Sequence, residues 1–197
     1  MADLLYNGTV LSWTPVGKWQ ATSGLELYQN SLHQFKMNHG PIPEGSYRIP
    51  LKIGGNATLV NPKRDSSGRI TESDLDSRSE IESLQCITDP KDHVTVLLFS
   101  QWGSNRVRLA KRSVKHAKAS HRDGFYLHDS TKGFSHGCIE VQTAFFSSLR
   151  AFSKANPKTH YLSLEVNYGP NSLSGAGVAT NGGTKTTDIV VENCTAP

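Results

Sequence analysis

Two residues of this 197-residue chain have the types and spacing that nucleophilic chemistry needs. His128 and Cys138 stand ten positions apart in the run Gly124-Phe125-Tyr126-Leu127-His128-Asp129-Ser130-Thr131-Lys132-Gly133-Phe134-Ser135-His136-Gly137-Cys138-Ile139-Glu140. A thiol attacks as its thiolate, so a catalytic cysteine needs a neighbour that takes its proton. A histidine that ends a strand, followed by a nine-residue loop back to a cysteine, has enough chain to fold the imidazole over the sulfur. Gly137 has no side chain, so its N–H and that of Cys138 can approach a substrate oxygen as an oxyanion hole. A helix starting a few residues past Cys138 would place a positive dipole end near the thiol and favour its ionisation. The plainer reading is a small buried hydrophobe beside a satisfied histidine.

The elements that must position this pair are mostly strands. Segments 8–13 (GTVLSW), 24–28 (GLELY), 47–49, 94–99 (VTVLLF), 106–109 (RVRL), 124–128 (GFYLH) and 160–166 (HYLSLEV) read as strands, with 94–99 the best buried candidate and 106–109 its pairing partner. Alternation along 124–128 puts Phe125 and Leu127 on one face, and Tyr126 and His128 on the other. Past Cys138 the period changes: Val141, Phe145, Leu149 and Phe152 recur at steps of four, four and three, one face of a helix that ends near Asn156-Pro157. Residues 61–83 are polar and charged with little periodicity, and read as a long loop or insertion with one helical turn near Glu80. From 169 the chain is rich in Gly, Ser, Asn and Thr, a flexible tail whose closing Asp188-Ile189-Val190-Val191-Glu192-Asn193 can pair as an edge strand or stay free. The expectation is one mainly β, sandwich-like domain over 1–168, with seven short strands and one helix beside the cysteine loop.

Bulk properties narrow the setting. A net charge of +4 suits anionic partners, among them the anionic polymers of a bacterial wall, and equally serves solubility alone. The three cysteines (86, 138, 194) are too few for a disulfide scaffold, and their odd count leaves at least one thiol free even if Cys86 and Cys194 bridge. No CxxC spacing occurs, and His116 and His121, taken with His128, His136 and Cys138, match no usual ligand pattern, so neither metal nor cofactor is expected. The opening Met1-Ala2-Asp3-Leu4-Leu5 lacks a basic region before an apolar run, and no stretch is long enough to span a bilayer. The chain is therefore expected to start as a cytoplasmic soluble protein, without membrane insertion, and to need another machine to reach any substrate outside. Three Asn-x-Thr matches, at Asn7, Asn56 and Asn193, are read as chance without a secretory signal.

Ser135-His136-Gly137-Cys138-Ile139, preceded by a histidine, resembles the signature of the L,D-transpeptidases (the YkuD family). Gly40-Pro41-Ile42-Pro43-Glu44-Gly45-Ser46-Tyr47 resembles the Gly-Pro-hydrophobic-Pro-x-Gly-x-Tyr stretch of the same family, and Trp102-Gly103, Arg106-Val107 and Leu109 the segment between the two motifs. The resemblance covers residues 40–152. It implies an L,D-transpeptidase-like β-sandwich and a cysteine enzyme that cleaves or exchanges peptidoglycan stem peptides, as L,D-carboxypeptidase or transpeptidase. Carried over, Cys138 is the nucleophile, His128 its base, and the Asp129 backbone carbonyl orients the imidazole. Gly137 and Cys138 hold the oxyanion, and Ser135 ties the loop. His136 either shapes the oxyanion site or supports the loop. Tyr126 lines the substrate pocket, and Arg122 either grips a substrate carboxylate or stays a solvated surface arginine.

Two departures stand out: the His-to-Cys spacing is shorter than in wall-crosslinking members, and Glu140 stands where those commonly carry Asn or Arg. The first resembles a compact branch delivered by type VI secretion as antibacterial effectors. That implies export by a secretion-system carrier, action in the periplasm of a target bacterium, and a cognate immunity protein as partner. The second bears on substrate orientation. Competing readings are a papain-like amidase or endopeptidase of peptidoglycan that uses His160, a non-catalytic wall-binding module, and a nucleic-acid binder using the basic run 110–122. The last lacks aromatic interleaving, so no nucleic acid is expected.

Overall fold

The computed structural model describes residues 2–68, 70–89, 95–96 and 102–169. The described chain is mainly β, with one α-helix. The strands are β1 (Leu4–Tyr6), β2 (Val10–Trp13), β3 (Gly17–Ser23), β4 (Gly45–Pro50), β5 (Ile53–Arg64), β6 (Ile70–Leu75), β7 (Ile81–Thr88), β8 (Thr95–Val96), β9 (Asn105–Arg108), β10 (Ala110–Val114), β11 (Tyr126–His128), β12 (Ile139–Val141) and β13 (Tyr161–Val166). Helix α1 (Ala144–Ala155) lies between the last two. Pairing runs β10-β4-β13-β1-β2-β3-β12-β11-β9-β7-β5-β6, with β8 on β7. The sheet is mixed: β1 with β13, β5 with β7, and β11 with β12 are parallel, and the other pairs antiparallel.

Alternation builds the core. Leu162, Leu164 and Val166 of β13 point inward with Tyr47 and Ile49 of β4, Leu4 and Tyr6 of β1, and Leu11 and Trp13 of β2. Helix α1 buries Phe145, Phe146 and Leu149, and Phe145 meets Trp19 edge-on at 5.2 Å. Phe152 closes the same face against Trp13 at 5.0 Å, as the three-and-four spacing of the sequence requires. Val141 does not continue that stripe: it belongs to β12, and the helix begins only at Ala144.

Several sequence expectations are corrected. Residues 61–83 are not a loop. They contain the end of β5, all of β6 and the start of β7, with a turn at 65–68 where the Ser67 and Gly68 amides donate to the Asp65 side chain and carbonyl. The hairpin shows no clear apolar alternation because only Ala57 and Leu59 of β5 are buried, and its apolar contact is the small cluster of Leu59, Ile70, Ile87 and Leu75. Residues 24–28 are not a strand but a turn leading to a 3₁₀ turn at Glu26–Tyr28 that leaves Leu27 87% exposed, so its apolar alternation marks no buried face. Strand β9 pairs with β7 and β11 rather than with 94–99, of which Thr95 and Val96 are described and lie on β7. The tail readings, the closing strand among them, concern 170–197, outside the described residues.

One ion pair is enclosed in the sheet. Arg106 Nε donates to Glu82 Oε2 at 2.8 Å, with the two side chains 2% and 0% exposed. Burial pushes the Glu82 carboxyl up, and Arg106 pulls it back. Replacing one partner strands the other charge, which costs more than replacing both. Arg106→Met is expected to lose about 3–5 kcal/mol in urea unfolding, and Arg106→Met with Glu82→Met to recover most of it. Equal losses in the single and double variants would contradict this.

Candidate functional site

His128 and Cys138 are brought together by adjacent parallel strands. Leu127 pairs with Ile139 and His128 with Glu140, so Cys138, just before β12, falls in register with Tyr126, two positions from His128 along the pairing. The connection is residues 129–138. Parallel neighbours usually need a dozen or more linking residues. A shorter return has no room for a helix, and its backbone groups must find side-chain partners.

Those partners are present. Glu140 is fully buried and takes the Gly133 amide at 2.8 Å on one carboxylate oxygen and the Ser130 hydroxyl on the other. Ser135 donates its hydroxyl to the Cys138 carbonyl and accepts the Gly24 and Gly137 amides, each at 3.3 Å. Gln29 Nε2 donates to the Gly133 carbonyl at 2.7 Å. At the other end, Asp129 Oδ1 accepts the Ser104 and Asn105 amides, both at 2.7 Å, and Oδ2 accepts Asn105 Nδ2 at 2.8 Å. Gly103 (φ +79°) passes so close that a Cβ there would stand 2.3 Å from the Asp129 carbonyl carbon. Only glycine suits both the conformation and the contact.

Cys138 is a free thiol, and its sulfur accepts the Tyr126 amide at 3.3 Å. It lines a cavity of about 90 Å³ with Trp102, His128, Lys132, Ser135 and His136. On its other side a larger cavity, about 420 Å³, is walled by Met37, Asn38, His121 and Asp123 among others. Cys138 and His136 border both. His128 is 2% exposed, with the Trp102 ring edge-on at 5.4 Å. Its Nδ1 has no hydrogen-bond partner. The imidazole's backbone hydrogen bond is with Trp102 and raises its pKa. Since Nδ1 is unpartnered, that bond falls to Nε2; a carbonyl accepts only from N–H, which leaves Nδ1 as the bare, basic nitrogen.

Burial dominates both titrations. It pushes the Cys138 thiol up to about 11 against the pull of the Tyr126 amide and of the Lys132, Arg106 and Arg122 charges. It pushes His128 down to about 3, helped by Lys132. The site therefore holds a neutral thiol beside a neutral imidazole. Proton transfer between them is uphill until bond formation at the sulfur drives it, so the chemistry suited to this pair is attack with concerted general-base help.

The structure revises several assignments. Arg122 is not a solvated surface arginine: it is 3% exposed, donates to the Gln34 and Pro41 carbonyls, each at 2.6 Å, and to that of Gly40 at 2.9 Å, and forms part of the wall of the larger cavity. Gly137 (φ +115°) is required because a Cβ there would stand 2.4 Å from Arg122 Nη2, and its N–H is already donated to Ser135. Tyr126 reaches the thiol through its amide, while its hydroxyl pairs with Ser77 Oγ at 3.0 Å. Trp102 has the orienting backbone bond that the resemblance gives to Asp129, whose carboxylate instead anchors the loop end. Helix α1 starts beyond β12, whose extended residues carry the chain on by about 10 Å, so its dipole end is not at the thiol. His136 is exposed at the mouth of both cavities, and His160 lines a separate groove with Pro50 and Ser153. Among the described residues no three His, Cys, Asp or Glu side chains are grouped as a metal needs. Cys86 is disulfide-bonded, while Cys194 lies outside the described residues.

Sequence reasoning missed Lys132 and the anchoring role of Glu140. Lys132 is one cation in a polar loop, with nothing in its spacing to mark it. The signal for Glu140 was present: an acid directly after an apolar strand residue, facing a loop rich in donors.

The His128 titration gives a stability signature. Its folded value lies below the ordinary histidine value of about 6.5, so the unfolded chain takes up the proton first. Its contribution is complete above about pH 6.5 and is lost as pH falls toward 3. Relative to His128→Gln, the native protein is expected to lose about 2 kcal/mol between pH 7.5 and pH 5 in parallel urea titrations. Parallel pH profiles for the two proteins would contradict the buried neutral imidazole.

No family model matches this chain, and no curated protein matches it.

Proposed function

We propose that the protein is a cysteine enzyme that acts on peptidoglycan stem peptides as an L,D-carboxypeptidase, an L,D-transpeptidase or both. The observation that carries this is the free Cys138 thiol sharing a small cavity with an imidazole whose Nδ1 has no partner. In the proposed reaction Cys138 Sγ attacks the carbonyl between an L-centre and a D-residue while His128 Nδ1 takes the thiol proton. The C–N bond breaks as Nδ1 gives that proton to the leaving amine, and a thioester remains. Water or a second amine then adds, loses its proton to Nδ1, and expels the sulfur, which is reprotonated from the same nitrogen. Lys132 supplies positive charge beside the developing anions, in a cavity where such charge acts strongly. The Gly137 amide serves as oxyanion donor only by leaving Ser135.

The finer fold belongs to the same proposal: an L,D-transpeptidase-like β-sandwich, supported by the mainly β sheet and the helix after the cysteine loop. So does the setting, an exported antibacterial toxin carried by a secretion system into a target periplasm and held in check by an immunity protein. This rests on the Ser-His-Gly-Cys motif and the short spacing. No helix among the described residues is long and apolar enough to cross a membrane. The papain-like alternative gains nothing from His160, which lines a different groove from Cys138.

The test is incubation with disaccharide-tetrapeptide and pentapeptide muropeptides, with and without a free D-amino acid, followed by LC-MS. Loss of the terminal D-alanine, or its replacement by the added D-amino acid, is expected with the native protein and not with Cys138→Ala. Cleavage elsewhere in the stem would move the protein to the endopeptidases or amidases. No change on any substrate, with both proteins folded, would leave the wall-binding module as the better account.

A further inference from the structure

Lys132 is the cation that the site leaves uncommitted. The two guanidiniums that also act on the thiol are engaged: Arg106 with Glu82, and Arg122 with the Gln34, Gly40 and Pro41 carbonyls. Lys132 makes no hydrogen bond or salt bridge among the described residues, and its ammonium rests 5.2 Å from the Phe134 ring centre. The acid whose charge reaches it, Glu140, is fully buried and accepts from Gly133 and Ser130. Lys132 bears electrostatically on His128, His136 and Cys138 alike, as a charge facing the cavity they share must. A half-enclosed ammonium without a salt bridge is costly, and an incoming anion relieves that cost.

The two cavities that meet at Cys138 differ in size. The one with Lys132 holds about 90 Å³, the bulk of roughly three waters, whereas the one with Met37, Asn38, His121 and Asp123 holds about 420 Å³. The scissile carbonyl must lie at the sulfur, so one side of the substrate is short and the other long.

We propose that the small cavity is the subsite for a small C-terminal residue with a free carboxylate, bound by Lys132, while the larger cavity takes the rest of the donor. This rests on the reading of the site as a stem-peptide enzyme and deepens it. It makes the protein an exo-acting enzyme that reads the chain end, with Lys132 a substrate-binding residue.

Two measurements separate this inference from the reading it rests on. The first compares a stem tetrapeptide ending in D-alanine, its C-terminal amide, and the same stem ending in D-phenylalanine, with native protein and Lys132→Met. A charge-assisted hydrogen bond predicts that native protein prefers the free acid over the amide by roughly 10- to 100-fold in kcat/KM. The D-phenylalanine stem should be turned over poorly by both proteins. Lys132→Met should lose the acid preference and turn over acid and amide with similar kcat/KM. Equal losses on acid and amide, or an unchanged preference, would overturn the assignment.

The second measurement needs no turnover. Alkylation of Cys138 by iodoacetate and by iodoacetamide, mapped by peptide mass, should show an excess rate for the anionic reagent relative to free cysteine. Lys132→Met should remove the excess. An excess unchanged in the variant, or none in the native protein, overturns the role of Lys132 even if stem peptides are cleaved. An excess that Lys132→Met removes, with no stem peptide cleaved, keeps the carboxylate site and sinks the stem-peptide reading.

Discussion

The site depends on one topological constraint, two parallel strands joined by a short return. β11 and β12 lie side by side in the same direction with ten residues between them, fewer than a crossover helix requires. The chain must leave the end of β11, turn back along the sheet and re-enter at the start of β12. Without regular structure in the loop, its shape is held by side chains from outside it: the buried Glu140 of β12 and Gln29 of the turn after β3, and the half-buried Asn105 through Asp129. Arg150 of α1 supports Asn105 in turn, donating to its Oδ1 at 2.7 Å. Removing one member of such a network strands the others, so the loop is held cooperatively. The thiol and the imidazole owe their proximity to that network.

The same enclosure sets the electrostatics. A cavity closed enough to hold His128 at 2% exposure keeps imidazole and thiol neutral at rest. In the proposed reaction the thiol is a weak nucleophile at rest and becomes a strong one as its proton moves to His128 during C–S bond formation. The charges around the pair divide by function. Arg106 and Arg122 are structural, tied to a carboxylate and to backbone carbonyls, and Lys132 is left to face the cavity.

Much of this was legible in the sequence where one residue type answers one physical demand. The stripe of Phe145, Leu149 and Phe152 gave the helix, and the alternation of 124–128 put Tyr126 and His128 on one face. The nine-residue return from His128 marked the two side chains that meet at one cavity. What could not be read were residues whose role comes from partners distant in sequence. Arg122 looks like any surface arginine in a basic run until residues 34–41 fold over it and offer three carbonyls. The need for glycine at 137 follows from its backbone turn (φ +115°) and from that arginine packed against it. The 61–83 segment hid a hairpin because few of its strand residues are fully buried and its apolar cluster is small.

The central claim, that Cys138 is an acyl-forming nucleophile served by His128, is most directly tested by intact-mass spectrometry of the protein quenched during turnover of a muropeptide tetrapeptide. The account predicts a transient mass gain equal to the donor less its terminal D-alanine, mapped to Cys138. The adduct should form far more slowly in His128→Gln and not at all in Cys138→Ala. Turnover of the tetrapeptide with no adduct on Cys138, or with the adduct on another residue, would contradict it.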